Sequence, residues 1–223
     1  MSRTLIKFVV SLFVITALVN ASYAQDEANM PRPNTKAGSA AWMFEFGGLA
    51  TMGLNGFNIE NNFSSMPVVA AGWKWYFADD MALRALLGFA TASSGSDSLA
   101  PFKSSSTAFG IAVGVELHTH AVYSTSPYFG AQISFGTGSN DLTNKSVGET
   151  KTSGTAFGIG VLAGFDWYFT RGIAVGGEYM LGFTTKSGST TFTPKGGSAT
   201  TTDDPSATNL GISSGSVHVI VHF

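Results

Sequence analysis

The residues with the spacing of reactive groups are few, and each falls in a setting that argues against catalysis. Gly211-Ile212-Ser213-Ser214-Gly215 carries the Gly-x-Ser-x-Gly pattern of a hydrolase nucleophile. That chemistry needs a sharp turn from strand into helix, and here the pattern lies inside the terminal strand, where it reads as a Ser/Gly stretch. Gly158-Ile159-Gly160 opens a glycine series, but no helix follows whose N-terminal amides could hold a phosphate. His118 and His120 share a face beside a turn and could bind a metal weakly; a solvated turn is the simpler reading. His218 and His222 are four apart on a strand, about 13 Å, too far to share a metal. There is no cysteine, which removes disulfides, thiolate chemistry, cysteine metal sites and a lipidated cysteine anchor. No catalytic residue, cofactor or metal site is expected. What remains is a scattered set of charges, Glu45, Lys74, Arg84, Glu116, Asp166 and Glu178, joined by Gln132 and His218. Their meaning depends on the elements that carry them.

Those elements are strands. From Trp42 to Phe223 the chain alternates apolar residues with small or polar ones. In Met81-Ala82-Leu83-Arg84-Ala85-Leu86-Leu87-Gly88-Phe89 the odd positions are apolar and the even ones include Arg84 and Gly88. A period of two sends these sets to opposite faces of a strand. The pattern predicts strands near 42–52, 66–77, 81–92, 107–118, 127–137, 155–169, 173–184 and 209–223. Ala78-Asp79-Asp80 and Thr170-Arg171-Gly172 make short turns, with an intermediate connection near 118–126. Long loops rich in Ser, Thr, Gly, Asn and Asp are expected near 53–65, 93–106, 138–154 and 185–208. Two segments repeat: Thr107-Ala108-Phe109-Gly110-Ile111 returns as Thr155-Ala156-Phe157-Gly158-Ile159, and Ala71-Gly72-Trp73-Lys74-Trp75-Tyr76-Phe77 as Ala163-Gly164-Phe165-Asp166-Trp167-Tyr168-Phe169. Equivalent hairpins around a ring would produce such repeats.

Composition points the same way. Charged residues make up 12% of the 223 residues, while Gly (27) and Phe (18) are abundant. Soluble domains carry about 25% charged residues, and a net charge of -2 offers no field for nucleic acid. Arg3 and Lys7, an apolar run from Phe8 to Val19 and Ser22-Tyr23-Ala24 match a secretory signal peptide cut after Ala24. That run is too short to span a bilayer as a helix. The expected organisation is therefore a signal peptide over 1–24, a polar linker over 25–41 and a barrel over 42–223.

If the face bearing Trp and Phe points outward, it carries no charge in any strand. A soluble barrel would bury that face instead. A charge at mid-bilayer costs about 2–4 kcal/mol, so a charge-free face fits lipid. The aromatics also sort by height. Trp42, Trp73, Trp75 and Trp167 lie next to the linker or the short turns; Phe89, Phe109, Phe135, Phe157 and Phe183 lie next to the long loops. These are two interfacial girdles. The charges then point into the lumen. Lys74 and Arg84 fall opposite each other on adjacent strands, and the flanking strands offer carboxylates, so a Glu45–Lys74/Arg84–Glu116 network is expected. Asp166 and Glu178 sit on the second hairpin without an evident cation; hydration, protonation or proximity to His218 are the open alternatives.

Over residues 42–223 the chain resembles the OmpA/OmpX-type small outer-membrane β-barrels. The alternating strands, the Trp girdle and the last strand, Gly215-Ser216-Val217-His218-Val219-Ile220-Val221-His222-Phe223, carry the likeness. The resemblance implies a single all-β, up-and-down antiparallel transmembrane barrel of about eight strands. It implies a bacterial outer-membrane location, both termini periplasmic, long loops extracellular, and a terminal Phe223 read by the barrel-assembly machinery. Outer-membrane lipid and lipopolysaccharide are the implied partners, with an extracellular loop ligand open and no nucleic acid. No peptidoglycan-binding domain is expected beyond Phe223. The expected role is structural, adhesive or loop-mediated binding around a side-chain-filled lumen. The alternatives are a small pore or hydrophobic-solute barrel of OmpW type, and a lipid A-modifying enzyme. No strand carries the His-x-Ser pair sought for the last, so no enzymatic activity is expected.

Overall fold

The computed structural model describes residues 33–46, 69–96, 102–119, 121–212 and 215–223. The signal-peptide segment, the first part of the linker, Gly47, the 53–65 loop, His120, Ser213 and Ser214 lie outside the described residues. Alternation turns almost everything else into antiparallel sheet. The strands are β1 (Ala40–Phe46), β2 (Val69–Ala78), β3 (Met81–Ser96), β4 (Phe102–His118), β5 (Thr125–Asn144), β6 (Gly148–Tyr168), β7 (Ile173–Pro194), β8 (Thr200–Ile212) and β9 (Ser216–His222). Each pairs with its sequence neighbour up to β7, whose lower part pairs with β9 and whose upper part pairs with β8. Strand β9 also pairs with β1, placing Trp42 opposite Val221, and the sheet closes on itself. Strands β8 and β9 together occupy the eighth place in the ring.

Side chains alternate between the two faces along every membrane-level strand. In β4 each residue from Ala108 to His118 switches between buried and exposed. The exposed set is apolar: Val161 is 58% exposed, Ile133 51% and Leu181 48%. An apolar belt this extensive is incompatible with water and calls for lipid. The buried set contains the charges, and eight strands make a tube that side chains can fill.

The polar stretches differ from the sequence expectation. The described residues of segments 93–106, 138–154 and 185–208 are mostly strand. Strand β5 runs to Asn144 and β6 restarts at Gly148; β7 runs to Pro194 and β8 starts at Thr200. Strand β7 has 22 residues, about 70 Å of chain and about twice what a tilted crossing needs. Above the bilayer both faces meet water, so the apolar alternation stops although the ladder continues. The β5–β6 turn is set by Asn144, whose Oδ1 accepts from the Ser146 amide at 2.9 Å. Gly148 there has φ +143°, and a Cβ would strike the Thr193 carbonyl; only glycine tolerates that backbone.

The opposite rim is tied down by residues read as linker. Strand β1 begins at Ala40, two residues before the expected barrel start. Ahead of it, the Thr35 Oγ1 donates to Asp80 Oδ1 at 2.5 Å. The Ala37 amide donates to Asp79 Oδ1 at 2.9 Å, and Lys36 Nζ lies 3.0 Å from Asp79 Oδ2. Asp80 takes φ +60° at the tight turn to which this strap is fastened.

Candidate functional site

The lumen near the short turns is a packed layer of charge. Inward parity brings Lys74 from β2, Arg84 from β3, Glu116 from β4, Asp166 from β6, Glu178 from β7 and His218 from β9 to one level, all buried. Lys74 and Arg84 are partners in the β2–β3 ladder, so two cations stand side by side. Lys74 Nζ lies 2.8 Å from Glu116 Oε2 and 3.1 Å from Asp166 Oδ2. Arg84 Nη1 lies 3.2 Å from Glu116 Oε1 and 2.6 Å from Glu178 Oε2. Arg84 also donates from Nη2 to Glu178 Oε1 at 2.9 Å and from Nε to Gln132 Oε1 at 3.0 Å. The forked guanidinium thus grips Glu178 with two parallel bonds, the arrangement that gives such pairs their strength.

These contacts revise the expected network. Asp166 and Glu178, read as lacking a cation, each hold one from across the tube. Glu116 bridges both cations, as its place on the flanking strand suggests. The contacts of the two cations given above run to Glu116, Asp166 and Glu178, whereas the sequence paired them with Glu45. Glu45 is buried on the same inner face and stands opposite His218 in the β1–β9 ladder. Ladder partners can be read from turn positions; partners across a lumen depend on circumference and stagger.

A polar aromatic layer seals the layer from the short-turn side. Tyr128 Oη donates to Glu178 Oε2 at 2.8 Å, and its ring lies 5.0 Å beneath Lys74 Nζ. His118, read as a solvated turn residue, is buried instead. Its Nε2 lies 3.1 Å from Glu116 Oε2 and its Nδ1 2.8 Å from Ser126 Oγ. Tyr168 Oη lies 3.0 Å from His222 Nε2. The sequence reading passed over Tyr76, Ser126, Tyr128 and Tyr168, and placed His118 in water. Parity alone assigns them to the lumen, since each lies an even number of positions from Lys74, Glu116, Gln132 or Asp166. Among the described residues, no group of three or more His, Asp or Glu side chains is arranged to hold a metal ion.

The aromatic sequence candidates lie on the outer wall. Trp42 is 54% exposed, with Trp73 and Trp75 beside it and Trp167 half-buried. Phe223 is exposed and its ring centre is 6.3 Å from that of Trp42. At the other height, Phe89 pairs with Phe109 and Phe135 with Phe157 across their ladders, and Phe183 stands opposite Ile159. Gly211 and Ile212 belong to β8 and Ser216 opens β9, while Ser213 and Ser214 of the serine pattern lie outside the described residues. Gly158 and Gly160 lie in β6 and face inward.

A closed antiparallel ring with an apolar outside and an ionised inside is the architecture of a small outer-membrane β-barrel, the fold the sequence resemblance implied. No protein-family model matches the chain, and no curated protein matches it. Among solved structures the chain is similar to a major outer membrane protein from Thermus thermophilus, with 11% identity and a TM-score of 0.53 over 84% of this chain and 100% of that one. It is also similar to Ail, the attachment invasion locus protein of Yersinia pestis, with 12% identity and a TM-score of 0.47 over 84% of this chain and 99% of that one. The first likeness is one of fold.

Proposed function

We propose that the chain is an exported outer-membrane barrel that works through the β-hairpins it raises beyond the bilayer, in a structural, adhesive or ligand-binding role without catalysis. One observation carries this reading: the β5–β6 and β7–β8 hairpins stay hydrogen-bonded far past the Phe girdle. There the exposed face changes from Phe157, Ile159 and Val161 to Glu149, Lys151 and Thr155. Ladders built this far into water present a stiff surface, which a tether for a barrel does not need. The packed charge layer supports a closed lumen. In this reading residues 1–24 are removed on export, Phe223 is offered to the assembly machinery, lipopolysaccharide surrounds the Phe girdle, and both termini face the periplasm.

The native chain has no cysteine, which makes orientation directly testable. Ser146→Cys at a hairpin tip is expected to react with a membrane-impermeant maleimide on intact cells, and Thr170→Cys at a short turn only after lysis. The reverse pattern overturns the orientation. In a planar bilayer the purified barrel is expected to pass no steady current; a stable open level would replace the closed-lumen reading with a small pore.

A further inference from the structure

Beyond the Phe girdle the apolar side of the sheet changes over. At membrane level the odd-numbered positions of β4 to β7 carry the exposed apolar side chains. Near the hairpin tips the even-numbered side, continuous with the lumen wall, carries them instead. Phe102 is 42% exposed there, Leu142 43% and Phe192 39%. Leu142 and Phe192 flank Thr150 on one rung. Phe102, opposite Asn144, stands diagonal to Leu142. Val147 is 57% exposed in the β5–β6 turn. The two turns are joined, because the Lys195 amide donates to the Val147 carbonyl at 3.0 Å, and the hairpins end in a single apex. From Phe157 of the girdle to Gly148 at the turn the strand covers about 30 Å, which carries the apex clear of its own bilayer.

The charge at this apex is one-sided. From the rung Ser105–Asp141–Lys151–Thr191–Thr201 outward, the odd-numbered side carries Lys103, Asp141, Glu149 and Lys151. Asp141 stands opposite Lys151, and Lys103 and Glu149 both stand opposite Thr143, so the charges on that side cancel. Lys145 and Lys195 remain, one in each turn and both exposed. Neither turn, 144–148 or 194–199, contains Asp or Glu. Among the described residues neither ammonium enters an ion pair. Exposed apolar side chains beside free ammonium groups match a surface that is anionic at the water and apolar just beneath it. An anionic bilayer is such a surface. Interfacial segments sink about 5–10 Å into it, and lysines reach back to its headgroups. Leu142 and Phe192 lie two residues below the last rung, about 7 Å, within that depth. The apolar side chains come from three strands and a turn, with Thr150 between two of them. They form no close-packed seat of the kind that anchors a protein partner, whereas a bilayer asks only for depth and charge.

We propose that the joined β5–β6 and β7–β8 tips dock on an anionic lipid surface apposed to the cell. Val147, Leu142, Phe192 and Phe102 enter its headgroup layer, and Lys145 and Lys195 pair with its anionic headgroups. Docking of this kind presupposes the hairpin function proposed above, in which the tips stand outside the cell.

The test sediments the intact barrel, held in phosphatidylcholine nanodiscs, with sucrose-loaded vesicles of phosphatidylcholine alone or mixed with phosphatidylserine. The barrel is expected to sediment with the mixed vesicles, less so as salt is raised, and not with phosphatidylcholine alone. Lys145→Gln combined with Lys195→Gln is expected to raise the half-saturating lipid concentration about tenfold or more. Val147→Ser combined with Phe192→Ser is expected to raise it about tenfold while the salt dependence stays. The chain has no cysteine, so an environment-sensitive dye on Val147→Cys reports depth and is expected to shift to the blue on mixed vesicles only. Heat-modifiable gel mobility confirms that each variant is a folded barrel. Equal sedimentation with both vesicle types, none with either, an unchanged lysine double variant or an unshifted dye overturns the proposal. Nanodiscs that associate without vesicles make a second copy the occupant and also overturn it. Orientation is read separately by Ser146→Cys. Labelling on intact cells without vesicle binding removes the lipid partner and leaves the hairpin function, whereas labelling only after lysis removes both.

Discussion

Arg84 and Glu178 are 94 positions apart in the chain and meet across the lumen through two parallel hydrogen bonds, 2.6 and 2.9 Å long. Neither residue can be removed alone without leaving its partner charged in a dry interior. Arg84→Ala is expected to destabilise the barrel by about 3–5 kcal/mol, while replacing Arg84 and Glu178 together by Leu recovers much of the loss. Urea unfolding in lipid vesicles measures both; a single variant within about 1 kcal/mol of the native chain would show that the pair does not hold the ring.

A second prediction concerns the outer face. Val161 is 58% exposed at the middle of β6, between Ala131 and Leu181. Val161→Lys is expected to cost about 2–4 kcal/mol in a bilayer, and Ser187→Lys, also outward but above the Phe girdle, about 0–1 kcal/mol. Similar costs at the two sites would misplace the membrane.

The strap at the short-turn rim is expected to respond to pH. The Ala37 amide and Lys36 hold the Asp79 carboxyl below its usual range, and Asp79 holds the Lys36 ammonium above its own. A lowered acid contributes stability that is present above the ordinary carboxylate value of 3.8 and fades as pH falls below it. A raised base contributes stability that is present below 10.5 and fades as pH rises beyond it. Protection of the Ala37 amide against hydrogen exchange, corrected for intrinsic rates, should therefore hold between these limits and drop below about pH 4. Asp79→Asn should remove the acid-side drop, and salt should weaken the native protection because the pair is exposed. A flat profile in the native chain would detach the strap from Asp79.

The β5–β6 turn gives a fourth. Gly148→Val forces a branched side chain into a backbone with φ +143° and against Thr193. Proteolysis of intact cells should cut this hairpin tip faster in the variant while barrel mobility on gels stays unchanged. A tip cut no faster than the native one would mean that the turn carries no such constraint.

How far the sequence could be read follows from which distances it encodes. Parity along a strand is local, so the inward placement of Glu45, Lys74, Arg84 and His218 could be read from alternation alone. Opposition about a tight turn is nearly local, which is how Lys74 and Arg84 could be set side by side. The grip of Glu178 on Arg84 is neither, because it spans the tube and depends on its width. The hairpins failed for another reason. Thr190 and Thr202 are ladder partners, yet a Thr/Ser/Gly stretch has the same composition in a wet strand as in a loop. Hydrophobic periodicity detects strands only where one face is dry.

The division of the lumen charges by strand has a consequence for assembly. Both fixed cations enter on β2 and β3, whereas Asp166, Glu178 and His218 enter on β6, β7 and β9. While the sheet is open, Lys74 and Arg84 face each other as like charges with Glu116 of β4 shared between them, and two of their carboxylate partners wait toward the other edge. Curling the sheet brings the halves within reach and neutralises both at once. Closure is therefore rewarded steeply and late, and a half-formed barrel is electrostatically marked as unfinished until its first and last strands meet.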